Sequence, residues 1–424
     1  THKFFGYFLF AFILLAIFQS VFNLASYPMD FIDSSFAQFS NYLQANLPKG
    51  PFSNLISEGI VPGISGIVIF IPQIAILFFF IAILEETGYM SRVVFLMDKV
   101  MRRFGLSGKS VIPLISGTAC AVPAIMATRN INNWKERLIT ILVTPFTTCS
   151  ARLPVYAIII AVIIPDIMVY KVFNLQGLVM MVLYLIGFAT AIIAAYILHK
   201  TIKIEQHSFF VIEMPNYKLP SLKNVFFTVV EKTKAFVFDA GKIILSISII
   251  LWFLASNGPE SYKNAEKLVK TQQVESIHDE HFEQQLAAFK LQNSYIGILG
   301  KSIEPAIAPL GYDWKIGIAI ISSFAAREVF VSTLATIYSV ESAEQFSTIK
   351  ERLAAEENPI TKQKRFNLPT GMSLLIFYAF ALQCASTIAI VKRETKSWKW
   401  PIIQFFGMGF IAYVAAFLTY NFFL

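Results

Sequence analysis

The chain has 424 residues, of which 56% are hydrophobic and 15% are charged, and its formal net charge at pH 7 is +8. Soluble domains carry about 25% charged residues, so this composition excludes an ordinary soluble protein and indicates an integral membrane protein. The basic residues cluster beside apolar stretches, as the positive-inside bias requires, and the net charge therefore does not indicate nucleic-acid binding.

Apolar stretches of membrane-crossing length recur along the chain, and a helix needs about 20 residues to cross a bilayer. We predict spans at 4–22, 62–84, 138–164, 177–198, 236–255, 370–391 and 401–424, the second interrupted by Pro72. Residues 23–62 contain few basic residues and are predicted to lie outside. Residues 93–105 carry Lys99, Arg102 and Arg103 and are predicted to form an amphipathic helix on the cytoplasmic surface.

Two further apolar segments, 110–128 and 314–338, are predicted to be re-entrant hairpins. Basic residues flank the first on both sides, so it should enter and leave on the cytoplasmic side. The second lies between predicted external segments, so it should open outward. Each hairpin is followed by a span with a cysteine motif, C-S-A-R-L-P-V at 149–155 and C-A-S-T-I-A-I at 384–390. Two similar units of opposite orientation form the inverted repeat that is common in secondary transporters.

The predicted fold class is therefore all-α, a polytopic integral membrane protein with two broken-helix repeats of inverted orientation. The predicted domains are N-terminal transmembrane helices at 1–92, a first repeat with its surface helix at 93–198, a cytoplasmic linker at 199–235, a transmembrane helix at 236–255, an external insert at 256–313, and a second repeat with the C-terminal helices at 314–424. The chain starts at Thr1 and not at Met, so we expect a fragment or a processed chain.

The stretch from Gly117 to Tyr156 is apolar enough for a bilayer, yet it is rich in helix breakers. It contains Pro123, Pro145 and Pro154, and proline removes a backbone donor and clashes with the preceding turn. Irregular backbone at membrane depth is tolerated only where it faces protein or a polar path. We therefore predict that this stretch is broken at mid-depth and lines a transport route.

Several consecutive motifs resemble the membrane domain of the FeoB-type ferrous iron transporters of bacteria, in the right order over nearly the whole chain. They are G-I-V-I-F-I-P-Q-I-A-I-L-F at 66–78, L-E-E-T-G-Y-M-S-R at 84–92, L-S-G-K-S-V-I-P-L at 106–114, C-A-V-P-A-I-M-A-T-R at 120–129, C-S-A-R-L-P-V-Y at 149–156 and A-R-E-V-F-V-S-T-L-A-T-I-Y at 326–338. The chain departs from the family at Ala121, where members often have asparagine, and the inserts at 256–300 and 340–368 carry no motif.

The resemblance implies two gate regions of the nucleoside-transporter type that move Fe(II) into the cytoplasm. It also implies a cytosolic GTP-binding domain, in cis or in trans, so that GTP acts only through that domain and this chain is a transporter and not an enzyme. The expected partners are the lipid bilayer, Fe(II), the GTP-binding domain, a small cytosolic accessory protein and further copies of the chain, with no permanently bound cofactor and no nucleic acid. The expected location is the bacterial cytoplasmic (inner) membrane, crossed several times.

Three cysteines, Cys120, Cys149 and Cys384, are the main candidate ligands of the ion. Fe(II) accepts sulfur, nitrogen and oxygen ligands, and a permeant ion needs weak or multiple sites because a closed cage would trap it. The alternative is structural, since a buried cysteine often behaves as a small hydrophobe. Ser150 and Ser386 follow cysteines within two residues and either coordinate the ion or cap a half-helix.

Acidic residues near the apolar segments are further candidates. Glu328 is an intramembrane ionisable group and therefore a functional candidate, although Arg327 beside it makes a structural ion pair an equal alternative. Glu85 and Glu86 end the second span on the cytoplasmic side. They are interpreted as groups that bind the ion where it leaves the route, as a contact for the regulatory domain, or as a solvated helix end. Asp239 is interpreted as a helix cap or an interfacial pair.

Each of the remaining polar features has a functional interpretation and a structural alternative. Arg152 and Arg327 have the wrong charge for a cation site and should pair with an acid or with carbonyls of a broken helix. His278 and His281 lie three apart in the external insert and form either a metal-capture site or a chance cluster on an exposed helix. The segment G-L-S-G-K-S at 105–110 resembles the end of a phosphate loop, but Arg103 replaces the first glycine and no strand precedes it, so nucleotide binding is not expected.

Three functions remain open at this point. The first is a carrier or gated pore for Fe(II), which depends on the cysteines. The second is a transporter of nucleosides or other small organic solutes, which is indifferent to them. The third is a non-transporting membrane scaffold or sensor, which gives no flux. The sequence has no Ser-His-Asp set, zinc-hydrolase motif or complete nucleotide loop, so an enzyme fits it least.

Overall fold

The computed structural model describes residues 3–48, 50–69, 71–165, 167–169, 173–202, 217–239, 241–259, 262, 286, 289–324, 327, 329–337, 353, 364–382 and 384–424. The described chain is mainly helical, with one short antiparallel pair formed by β1, Met168–Val169, and β2, Phe173–Asn174. The predicted all-α class is therefore confirmed.

The helices are α1 Lys3–Asn46, α2 Pro51–Asn54, α3 Val61–Val68, α4 Ile71–Glu86, α5 Tyr89–Met101, α6 Val111–Ser116, α7 Ala121–Ala127, α8 Trp134–Val143, α9 Leu153–Ile163, α10 Leu175–Thr201, α11 Leu222–Asp239, α12 Gly241–Ser256, α13 Tyr295–Ile307, α14 Trp314–Ser322, α15 Val329–Ile337, α16 Leu368–Phe380, α17 Ala385–Thr395 and α18 Lys399–Phe423. A π-helical segment, Leu55–Ile60, joins α2 to α3.

Within the described residues, five helical stretches are long and apolar enough to cross a membrane. They are Phe52–Glu86, Trp134–Ile163, Leu175–Thr201, Leu368–Thr395 and Lys399–Phe423. These stretches correspond to the spans predicted at 62–84, 138–164, 177–198, 370–391 and 401–424, two of which were predicted one residue too long, so the multi-pass prediction is confirmed.

Two predicted helix boundaries are wrong. The first helix does not end near residue 22, because α1 continues for 44 residues, about 66 Å at 1.5 Å per residue. The span predicted to start at 236 begins instead with α12 at Gly241, after α11 has ended at Asp239. The 16 residues of α12 reach about 24 Å, less than a hydrocarbon core of about 30 Å. Residues 222–235, expected within the linker, are helical.

Contacts divide the chain into two compact units. The first unit comprises Thr1–Ser150, Gly187–Ser246 and Ser386–Gln404, and the second comprises Ala151–Ile186, Ile247–Ala385 and Phe405–Leu424. The chain therefore passes from one unit to the other inside both cysteine motifs, after Ser150 and after Ala385. The six consecutive predicted domains, the membrane sidedness and the inverted orientation stay predictions.

The first unit buries apolar side chains from six helices, including α3 with Ile67, in one core. Because α4 and α7 are apolar on several faces, they can pack with other helices on more than one side. The buried members of this core include Ile74 and Phe78 of α4, Val122 and Ile125 of α7, Ile141 of α8, Phe236 of α11, and Ile390 and Val391 of α17. This packing brings α17, from late in the chain, against helices from its first third.

The amphipathic helix predicted at 93–105 is α5, and it explains the phosphate-loop resemblance. Val93 and Val94 are buried whereas Lys99 is exposed. The buried Asp98 carboxylate accepts the backbone N–H of Gly108 at 2.9 Å. A Cβ at Gly108 would lie 2.2 Å from the carbonyl oxygen of Val94. The turn at 106–110 therefore uses its glycine for close packing and its backbone donor for an internal carboxylate.

The second unit has an aromatic core in which the buried Tyr378 hydroxyl is hydrogen-bonded. Phe330 and Tyr378 are fully buried, and their rings pack edge to face with centroids 4.9 Å apart. Tyr378 donates its hydroxyl to Ser323 Oγ at 3.1 Å. Because a buried hydroxyl without a partner is costly, this hydrogen bond fixes the chain just after α14, where the second hairpin is interrupted.

Candidate functional site

Two interrupted helices and the start of α4 meet in the first unit. The interruptions are between α6 and α7 (residues 117–120, the first hairpin break) and after α8 (residues 147–149, the first span break). Proline accounts for the second, because Pro145 ends the α-helical hydrogen bonding of α8, and Pro72 lies in the first turn of α4. Helices α6 and α7 have six and seven residues, about 10 Å each, and neither can cross a membrane alone.

A chain of hydrogen bonds joins these interruptions. Ser150 Oγ donates to the carbonyl oxygen of Ala119 at 2.8 Å, and the Ser150 backbone N–H donates to the same oxygen at 3.3 Å. Gln73 of α4 donates its Nε2–H to Ser150 Oγ at 2.9 Å. Since Cys120 follows Ala119 and Cys149 precedes Ser150, the two cysteine-bearing segments are held side by side in this unit.

The cysteines lie in irregular backbone and not on continuous helix. Cys120 has extended backbone, with φ −156° and ψ 135°, and occupies the N-cap position of α7. Cys149 lies in the first span break, and Cys384 precedes α17. All three are half-buried thiols. Their local backbone is therefore of the kind predicted for the lining of a transport route.

Because Gly117 and Gly187 have no side chain, the segments that carry them can pack closely against the first span break. A Cβ at Gly117 would lie 2.4 Å from Thr147 Oγ1. A Cβ at Gly187 of α10 would lie 2.9 Å from the Phe146 carbonyl oxygen and 3.0 Å from Thr148 Oγ1. Thr148 Oγ1 is buried and has no hydrogen-bond partner among the described residues. Only glycine fits where α10 covers the break.

Gln404 of α18 compensates for the donor that Pro145 lacks. In a continuous helix the amide at 145 would donate to the carbonyl of Ile141, but proline has no N–H. Gln404 Nε2 instead donates to the carbonyl oxygens of Ile141 at 3.2 Å and Leu142 at 2.9 Å. Gln404 is 4% exposed, so this side chain stabilises the end of α8 away from solvent.

The second unit repeats the hydrogen bond between a hairpin and a span. Helix α14 ends at Ser322 and α15 begins at Val329, whereas α16 ends at Phe380 and α17 begins at Ala385. The backbone N–H of Ala385 donates to the carbonyl oxygen of Phe324 at 3.0 Å. In both cysteine motifs, therefore, the residue after the cysteine donates its amide to the interrupted hairpin of the same unit.

The arginines predicted to pair with acids or carbonyls are buried. Arg327 is 5% exposed, and its Nη2 donates to the carbonyl oxygen of Ala381 at 3.3 Å. This contact is one of the two alternatives predicted for Arg327, a bond to a carbonyl of a broken helix. Arg152 is fully buried in a 3-10 turn just before α9.

The other predicted site residues are dispersed. Ser386 is buried in the first turn of α17 and Glu85 is exposed at the end of α4. Glu86 accepts a hydrogen bond from Asn224 Nδ2 of α11 at 3.1 Å. Asp239 is the last residue of α11. Glu328 and the cluster around His278 and His281 lie outside the described residues. Within the part of the chain that the structure describes, no group of three or more Cys, His, Asp and Glu side chains is placed to hold a metal ion.

A buried carboxylate that the sequence analysis missed anchors α17 in the first unit. Glu394 has a side chain only 3% exposed, and it accepts Arg129 Nε at 2.9 Å and Arg137 Nη2 at 2.8 Å. Hydrogen bonding to Glu394 raises the pKa of Arg129 above its ordinary value. The helix that follows Cys384 is therefore fixed to the connection between α7 and α8, through Arg129, and to the first turn of α8, through Arg137.

Of the residues missed, Gln73 had the clearest sequence signal. It is an amide within the apolar run I-P-Q-I-A, one position after a proline, and a buried amide requires a hydrogen-bond partner. Gln404 and Glu394 had no comparable signal, because each partner lies more than 250 residues away in the sequence.

Comparison with known proteins places most of this chain in recognised groups. The Gate family model, described as nucleoside recognition, matches residues 67–163 and 237–398. A second model, described as the C terminus of ferrous iron transport protein B, matches residues 180–232. Together these matches include the two cysteine motifs, the first hairpin break and most of α10.

Curated relatives match the chain from end to end. A protein of Leptospira biflexa named Fe(2+) transporter FeoB is 46% identical over 99% of the chain, and one of Staphylococcus aureus with the same name is 35% identical over 99%. A Porphyromonas gingivalis protein named Fe(2+) transport protein A/Fe(2+) transporter FeoB fusion protein is 36% identical over 99%. The chain spans 58%, 58% and 50% of these relatives, respectively. No solved structure matches it.

Proposed function

We propose that this chain, which belongs to the Gate family and is of the FeoB type, moves ferrous iron across the bacterial cytoplasmic membrane. The proposal extends to the chain what the names of its relatives state of them. The match to the ferrous iron transport protein B C terminus at 180–232 supports iron as the substrate over the nucleosides that the Gate description mentions.

The observation that carries the proposal is the placement of thiols at helix interruptions. A dehydrated cation in a bilayer needs protein ligands to replace its water, and Fe(II) accepts both sulfur and oxygen ligands. In the first unit, the bonded segments that carry Cys120 and Cys149 offer two sulfurs and the Ser150 hydroxyl. Cys384 belongs to the second unit and directly precedes α17, whereas Ser386, the second residue of α17, belongs to the first unit. The units thus offer a few weak ligands, and the described residues contain no group of three or more Cys, His, Asp and Glu side chains placed to hold a metal ion.

We include the acidic residues in the same proposal, as further groups that bind the ion along the transport route. Glu85 and Glu86 would receive the ion where α4 ends, and Glu328 would act within the second hairpin. A GTP-binding domain in cis or in trans would regulate gate opening, with a small accessory protein at the cytoplasmic side. The name of the Porphyromonas gingivalis relative, a fusion with Fe(2+) transport protein A, supports such an accessory protein.

Uptake of Fe(II) by the full-length protein in sealed vesicles, under anaerobic reducing conditions and with GTP present or absent, tests the proposal. Changing Cys120, Cys149 and Cys384 together to serine should reduce the uptake rate about tenfold or more, because serine is a poorer donor than thiolate for this metal. A matched set replaces three buried alanines outside the motifs, Ala82, Ala195 and Ala412, by serine.

Each outcome has a defined meaning. Uptake at the parental rate in the cysteine variant would refute the thiol role. Uptake of a labelled nucleoside without uptake of iron would support the organic-solute alternative. Absence of any flux, with or without GTP, would support a scaffold or sensor. Competition by Mn(II) and Zn(II) in the same vesicles measures selectivity.

A further inference from the structure

We propose that Gln73 is a positioning residue that acts through Ser150 to fix the geometry of the Cys120 and Cys149 thiols. This inference rests on the proposed function where it concerns iron, but the geometric part can be tested without iron. Gln73 is 8% exposed and lies on α4, between Pro72 and a run of apolar residues. A buried amide in such surroundings costs free energy unless it is hydrogen-bonded.

The direction of the hydrogen bonds assigns the role of each group. The hydroxyl of Ser150 has one proton, and it donates that proton to the carbonyl oxygen of Ala119 at 2.8 Å. Ser150 Oγ must therefore accept from its other neighbour, Gln73 Nε2, at 2.9 Å. The three groups form a directed chain from amide to hydroxyl to carbonyl, and such chains strengthen cooperatively.

The end of this chain is the junction of the two cysteine segments. The Ala119 carbonyl oxygen accepts both the hydroxyl and the backbone N–H of Ser150, which occupies both of its lone pairs. Cys120 and Cys149 are each one residue from that junction. Without the Gln73 amide, the Ser150 hydroxyl loses the contact that orients it, and the separation of the two sulfurs is less well defined.

The partner in this arrangement comes from a distant part of the chain. Gln73 and Ser150 are 77 residues apart in sequence, and Gln73 lies in the first turn of α4. The second unit lacks this arrangement, because alanine, Ala385, occupies the position that corresponds to Ser150 in the cysteine motif. Gln73 thus distinguishes the first cysteine motif from the second.

Two substitutions at Gln73 separate a positioning role from other roles. Gln73→Leu removes the donor, and Gln73→Glu keeps the shape but replaces the donor by an acceptor. Removing a partner that orients a metal ligand typically lowers metal affinity about 10- to 100-fold. We expect both variants to raise the KM for Fe(II) uptake about tenfold or more, while the maximal rate changes less than threefold. If Gln73 were a direct ligand, Gln73→Glu would instead lower the KM.

A double-mutant cycle tests whether Gln73 acts through Ser150. Ser150→Ala should raise the KM at least as much as Gln73→Leu, because it also removes the hydroxyl offered to the ion, and the double variant should be no worse than Ser150→Ala alone, because Gln73 acts through Ser150. Multiplicative effects in the double variant would overturn the proposal. Gln176→Leu is the matched control, since Gln176 donates to the carbonyl of Ile164 in the second unit, and its KM should stay at the parental value.

Thiol alkylation provides the readout that needs no transport. In iron-free protein, Gln73→Leu should change the rate at which a maleimide modifies Cys149 at least threefold, while the rate at Cys384 stays within the parental range. Equal changes at both cysteines would indicate general loosening and would overturn the positioning role, as would no change at Cys149. If the parent protein transports no iron, the proposed function fails, yet this comparison still decides the role of Gln73.

Discussion

Glu394→Gln is expected to release α17 from the connection between α7 and α8. Glu394 lies in the last turn of α17, where the negative end of the helix dipole disfavours an acid. Arg129 donates to both carboxylate oxygens and Arg137 donates to Oε2, and these hydrogen bonds offset the unfavourable dipole. Glutamine keeps the shape of the side chain but removes its charge, so two arginines are left facing each other and an amide.

The magnitude follows from the burial of the three groups. Breaking a buried ion pair costs about 3–5 kcal/mol, but the side chains of Arg129 and Arg137 are 41% and 23% exposed and can recover hydration. We therefore expect a loss of about 2–3 kcal/mol from the free energy of unfolding. A cooperative unit of this size loses about 2–4 °C of melting temperature per kcal/mol, so we expect the melting temperature to fall by about 4–12 °C.

Thermal unfolding of the purified protein in detergent measures this effect. Glu304→Gln is the control, because Glu304 is a half-buried glutamate of α13 that forms no ion pair among the described residues. Arg137→Met, measured alone and together with Glu394→Gln, completes a double-mutant cycle. The coupling free energy between the two residues in this cycle should exceed about 0.5 kcal/mol. A melting temperature for Glu394→Gln equal to that of Glu304→Gln, or strictly additive effects in the cycle, would refute the reasoning.

Two further substitutions test how the first span break is enclosed. Gly187→Ala forces a Cβ against the backbone of the break and should cost about 1–3 kcal/mol, whereas Gly66→Ala in α3, with nothing within 4 Å, should leave the melting temperature unchanged or raise it. Equal stability of the two variants would contradict the close approach. Gln404→Leu leaves the Ile141 carbonyl without its donor and should cost about 1–3 kcal/mol. Hydrogen exchange at the end of α8 should then become faster, and unchanged protection there would contradict the role of Gln404.

Local features of the sequence were sufficient for the membrane class, most of the spans and the first interruptions. An apolar run that is long enough to cross a bilayer as a helix has few stable environments other than the membrane. The interruption at Pro145 follows from the residue itself, because proline lacks a backbone donor and its ring clashes with the preceding turn. The resemblance to iron transporters also rested on short contiguous motifs, and the comparisons confirmed it.

The interruption before Cys384 was not predictable in the same way. The span 370–391 reads as one continuous apolar helix, and no proline lies between Phe380 and Ala385. The break is stabilised by contacts from the second hairpin, in which Arg327 binds the Ala381 carbonyl and Phe324 accepts the Ala385 amide. Nothing local disfavours the helix at this point, so the preference arises only when the two segments are together.

The sequence by itself determined where helices are costly, and the tertiary structure decided which distant groups compensate for that cost. Pro145 in the sequence indicates that the Ile141 carbonyl has no helical donor, but only the folded chain shows that Gln404 supplies another donor. Gln73 in an apolar run likewise indicates a buried amide that needs a hydrogen-bond partner, and only the fold shows that this partner is Ser150. The physical reason is that a hydrogen-bonding need is a property of one residue, whereas its satisfaction depends on the position of another residue far away in the chain.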